Sequence, residues 1–168
     1  PDFAISGDSW FRGIELVARP DGSVVVLDWS DTGECHEHDG VHRSSGRLYR
    51  IRHESQPSVA EAVDLTACSD EDLAELQRSP SRWHAQQARL LLAERAASRR
   101  IARAAIETLQ AQLASAALLA EETGVTASAL RVRAVLTLHV CNNLPHPELL
   151  RLTTDPDEHV RTWAIRLL

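Results

Sequence analysis

WFRGIELVARPDGSVVVLDWSDTGECHEHDGVHRSSGRLYRI, residues 10–51, decides the fold, because its strand and turn signals end where the remainder of the chain begins to read as helix. Arg19-Pro-Asp-Gly22 is a turn signal: Pro presets the bend and Gly accepts the positive φ that tight turns often need. The run that follows, Ser23-Val-Val-Val-Leu-Asp28, is β-branched and of strand length. Gly13-Ile-Glu-Leu-Val17 predicts its partner ahead of the turn, and Arg47-Leu-Tyr-Arg-Ile51 predicts a third strand with Tyr49 and Ile51 on one face. The expected product is an antiparallel meander. Such a meander is too small to bury both of its faces alone, so it reads as part of a larger sheet protein.

Everything after Pro57 reads as helix, rich in Ala, Leu, Arg and Glu. An internal repeat runs through it. Aligning Pro80 with Pro156 places Ala88 on Ala164, Leu91 on Leu167 and Leu92 on Leu168, while Ala134 and Leu138 fit the same frame between them. A small residue at that position lets neighbouring helices approach, and the Leu four residues on buries the same face. Helix pairs recurring at roughly 40 residues are the mark of a HEAT-type α-solenoid. Helices are predicted over 70–77, 82–97, 98–122, 127–142, 146–153 and 157–168. Ser69 serves as an N-cap before three acids, Asp155-Pro156 as a cap with Pro at the first helical position, and Gly124 as the close of the long third helix. The stripe Ile101, Ala105, Leu109, Leu113, Ala116, Ala120 follows helical spacing and reads as core. The fold class is therefore mixed and mainly α, a short β-meander over residues 1–56 followed by an α-α solenoid over residues 57–168.

Composition narrows the function. The 168 residues carry a net charge of −6, with 18 basic residues, all Arg, against 24 acids, and neither half forms the basic footprint that nucleic acid requires. No apolar run is long enough to span a membrane. Cys35, Cys68 and Cys141 are odd in number and widely spaced, which fits neither a disulfide framework nor a zinc ribbon. The absence of Met reads as an interior stretch of a longer chain.

Most of the chemistry sits between Asp28 and Arg47, which hold five acids, three His, one Cys and two Arg. Within Glu34-Cys-His-Glu-His-Asp39, thiolate, imidazole and carboxylate lie close together, and these are the ligands that zinc and other divalent transition metals take. Cys35, His36, His38 and Asp39 are the candidate ligands. Both imidazoles can face one ion only if the backbone bends between them, and a polar loop knitted by its own hydrogen bonds is the competing reading. Asp28 reads as a turn-capping acid beside a packing Trp29.

Four stretches carry a family resemblance: Gly7-Asp-Ser-Trp-Phe-Arg12, Arg19-Pro-Asp-Gly-Ser-Val-Val-Val-Leu-Asp-Trp29, Gly33-Glu-Cys-His36 and Val41-His-Arg-Ser-Ser-Gly-Arg-Leu-Tyr-Arg50, followed directly by helical repeats. Together they resemble the large PVC-type heme-binding CxxCH proteins, a group described as membrane-bound dehydrogenases. The resemblance implies that the meander is the last blade of a β-propeller similar to glucose/sorbosone dehydrogenases, leading through HEAT-like repeats toward a c-type heme domain. It also implies a periplasmic or cell-envelope location and, as partners, the propeller and heme domains of the same protein, with a protein partner expected on the solenoid surface. No CxxCH occurs in this chain, so heme c would belong to a domain outside it.

Loops at one end of a propeller crowd its central funnel, where substrates bind. On that reading Arg12, His42, Arg43 and Arg47 suit an anionic cofactor or a polyol substrate, with the His as general base. The ordinary alternative is that Arg12 stacks beside Trp10 and Phe11, and that Arg47 or Arg50 pairs with Asp28, Asp31 or Glu34. A sugar or polyol dehydrogenase passing electrons to heme is one expectation, and a non-catalytic interaction scaffold is the other. The chain by itself is expected to be inactive, since one blade builds no funnel.

Overall fold

The computed structural model describes residues 4–30, 45–55 and 64–168. Contacts divide the chain into two compact units, Pro1–Glu61 and Ala62–Leu168. The expected boundary between residues 56 and 57 falls at the edge of residues 56–63, which lie outside the described ones.

In the first unit β1 (Gly13–Ala18), β2 (Val24–Asp28) and β3 (Arg47–Ile51) form an antiparallel sheet in the order β1-β2-β3. The β1–β2 turn forms as its residues predict: Gly22 takes φ 77°, and its N–H donates to the Arg19 carbonyl at 3.0 Å. Asp21 fixes the far side by accepting from the backbone and the hydroxyl of Ser23. The register pairs Leu16 with Val26 and Val26 with Tyr49, and Asp28 with both Gly13 and Arg47. Since side chains alternate along a strand, Leu16, Val26 and Tyr49 share one face, and Val17, Leu27 and Leu48 lie on the other. Only Val26 among these is buried. Leu16 is 70% exposed and Leu48 72%, so both faces present apolar side chains to solvent. Trp29 is 57% exposed.

The second unit is helical. Its elements are α1 (Asp70–Glu75), a 3-10 turn (Leu76–Arg78), α2 (Arg82–Ser98), α3 (Arg103–Ala114), α4 (Ala116–Thr123), α5 (Ala127–Val140), α6 (His146–Leu152) and α7 (Glu158–Leu167). Leu73, Leu92, Leu109 and Leu138 are buried in one cluster, and Val135, Leu152 and Val160 in a second. Each fully buried aliphatic side chain contributes about 1.5–3 kcal/mol, which makes these clusters the main source of stability. Ala88, Ala134 and Ala164, which the sequence frame aligns, are each 0% exposed. Leu92 and Leu138 are buried as well, whereas Leu168, at the end of the chain, is 49% exposed.

Two expectations are corrected. The third helix is not continuous over 98–122. Arg99 is extended (φ −153°, ψ 168°), α3 begins only at Arg103, and Ser115 (φ −107°, ψ 19°) separates α3 from α4. The apolar stripe hides the first break because Ile101 packs into the core from an extended segment. The cap of α7 is Asp157, whose Oδ1 accepts from the N–H groups of His159 and Val160, rather than Asp155. Asp155 is held instead by Arg131, at 2.7 and 2.5 Å. Ser69 does cap α1, as a reciprocal box with Asp72.

Candidate functional site

The candidate chemistry of the first unit is organised around Asp28, whose side chain is fully buried. Its Oδ1 accepts from the backbone N–H of Arg12 at 2.8 Å and of Ser30 at 2.9 Å. Arg47 Nε donates to Oδ2 at 2.8 Å, and Arg47 Nη1 reaches Asp8 at 2.6 Å. Burial is the strongest influence on the Asp28 carboxyl and opposes its ionisation. The two backbone N–H donors and the Arg47 guanidinium outweigh it, and the carboxyl is held below its ordinary value. Asp8 is likewise held low, first by the Trp10 N–H and then by Arg47.

This network is built from residues that flank 31–44 in sequence. Asp28 and Ser30 precede residues 31–44, Ser45 and Arg47 follow them, and the Ser45 hydroxyl donates to the Ser30 carbonyl at 2.8 Å. Ser30 adopts φ 50°, a left-handed conformation that non-glycine residues rarely take, and the hydrogen bond to Asp28 holds it there. Cys35, His36, His38, Asp39, His42 and Arg43 belong to residues 31–44 and lie outside the described ones. Of the candidate site residues, the structure therefore places Arg12 and Arg47, and it brings both to Asp28. Arg47 joins Asp28 and Asp8 and lies 5.5 Å from the centre of the Tyr49 ring. Arg12 is tied through its backbone, and its Nη1 donates to the carbonyls of Ser9 and Phe11 at 2.9 and 3.0 Å. Among the described residues no group of three His, Cys, Asp or Glu is placed to hold a metal.

The helical unit has a second buried acid that sequence reasoning missed. Asp70, on the first turn of α1, pairs with Arg95 at 2.9 Å and with Arg99 at 2.7 Å, and accepts from the Ala102 N–H at 2.9 Å. The Arg99 hydrogen bond is the largest cause holding its carboxyl well below the usual range; burial opposes it, and Ala102 and Arg95 assist. Asp70 reads locally as one of three acids in a capped first turn, and its partners lie 25 to 32 residues away, so no short-range signal marks it. An open cleft of about 810 Å³ runs beside Arg99, Arg100, Arg103 and Cys141. Burial, then the nearby Asp70 charge, pushes the Cys141 thiol up to about 11, so it stays protonated at neutral pH and is a poor nucleophile.

No family model, no curated protein and no solved structure matches this chain. Among the described residues no helix is long and apolar enough to cross a membrane.

Proposed function

We propose that this chain is a joining module of a multidomain redox protein of the kind its sequence resembles, linking a sugar- or polyol-oxidising β-propeller to a c-type heme domain without performing the oxidation itself. The observation that carries this reading is the occupation of Arg47, whose guanidinium is engaged by the carboxylates of Asp28 and Asp8. Nε and Nη1 are committed to carboxylates and Nη2 is buried beside Asp28, so this guanidinium is anchored by the protein itself and not turned toward a substrate. The apolar side chains exposed on both faces of the meander support its assignment to a larger β-structure, and the helical unit supplies the spacer. A divalent metal in the Cys/His loop would be structural on this account.

The test is sugar and polyol oxidation by the full-length protein that contains this chain, with an artificial electron acceptor. Turnover in the wild type, retained in Arg12→Gln, is the expected result. Absence of turnover with every sugar and polyol would remove the redox assignment, and a collapse of kcat in a folded Arg12→Gln protein would place catalysis within this chain.

A further inference from the structure

In the helical unit, α2 and α5 pack side by side and leave a groove of about 450 Å³ between them. Arg82 and Arg89 stand seven residues apart on one face of α2, Arg133 enters from α5, and Trp163 reaches in from α7. No acidic side chain lines the groove, and none of the three guanidiniums is in an ion pair among the described residues. Arg82 is exposed and Arg89 and Arg133 are half-buried; the last two lack the carboxylate partners that Asp70 and Asp155 give to half-buried Arg95 and Arg131.

Arg133 is positioned rather than neutralised: its Nη1 donates to the carbonyls of Gln77 and Ser79 at 3.0 and 2.8 Å. Arg89 makes no hydrogen bond among the described residues. Burial, and then the positive charge of Arg82, disfavours the protonated form of Arg89, and burial followed by Arg82 and Arg89 does the same to Arg133. Arginine nonetheless remains charged in proteins, so three like charges are held together beside an apolar floor. An anion would relieve that repulsion.

We propose that this groove binds a small organic phosphate, its oxygens taken by Arg82, Arg89 and Arg133 and its apolar body received by Val132, Leu136 and Trp163. Planar guanidinium forks match phosphate oxygens in pairs, and a dianion offsets more of three positive charges than a carboxylate does. The apolar lining gives an ester an advantage over the bare ion.

Calorimetric titration of the 168-residue chain with phenyl phosphate, inorganic phosphate and benzoate tests this. Phenyl phosphate is expected to bind best, to weaken with added salt, and to lose at least about tenfold in affinity in Arg89→Gln. Arg82→Gln, at an exposed position, provides the same test should Arg89→Gln fail to fold, with circular dichroism reporting the fold of each. Benzoate binding as tightly as phenyl phosphate, inorganic phosphate binding more tightly than the ester, or phenyl phosphate affinity unchanged in a folded variant would each overturn the proposal.

Discussion

At the scale of single residues, two buried aspartates organise their surroundings, and they differ in how readily the sequence discloses them. Pairing of Arg47 with Asp28 stood in the sequence as one alternative among Arg47 or Arg50 with Asp28, Asp31 or Glu34, and the strand register, which sets Arg47 opposite Asp28, selects it. The role of Asp70 was not legible, since the fold has to bring Arg95 of the last turn of α2, and Arg99 and Ala102 of the α2–α3 junction, to it. Asp70→Asn is expected to cost about 2 kcal/mol in urea unfolding at neutral pH, since hydrogen bonds to charged groups contribute about 1.5–3 kcal/mol. The folded Asp70 carboxyl lies below its ordinary value of 3.8, so its contribution is complete above that value and declines as pH falls toward the folded pKa. Stability of the wild type should therefore fall more steeply than that of Asp70→Asn as the solution is acidified below about pH 4. Parallel slopes for the two proteins would show that this carboxylate is not a source of acid sensitivity.

At the scale of elements, local chemistry set most boundaries where capping groups were available. The Ser69 box starts α1, and Gly124 ends α4 in the left-handed region at φ 70°. Open space surrounds the position where a Gly124 Cβ would stand, so Gly124→Ala tests the backbone term without a clash. Thermal unfolding should report a loss of about 1 kcal/mol, the usual cost of forcing a side chain into positive φ. An unchanged melting temperature would mean that the α4 terminus rearranges freely. The break between α2 and α3 escaped the sequence reading for a different reason: helical periodicity records which side chains are buried, and Ile101 is buried from an extended segment. Likewise, Asp155 has the character of a cap, but its carboxylate takes Arg131 and the Asp157 N–H, which lies ahead of α7, and Asp157 caps the helix. Of the candidate catalytic residues, Arg12 meets Asp28 through its backbone N–H just ahead of β1 and Arg47 through its side chain at the start of β3. The arginine groove went unnoticed, since its residues come from three helices whose packing a linear pattern does not display.

At the scale of the whole molecule, the chain combines units of unequal self-sufficiency. The helical unit buries two aliphatic clusters, whereas the meander leaves apolar residues uncovered on both faces. This contrast supports the joining-module proposal, in which the helical unit stands alone and the meander packs against further β-structure. Amide hydrogen exchange on the isolated 168-residue chain measures it directly, because local opening free energies follow the burial that opposes them. The account predicts slow exchange in α2, α3 and α5 around Leu92, Leu109 and Leu138, with far faster exchange across β1, β2 and β3. Meander amides protected as strongly as those of the helical core would contradict it.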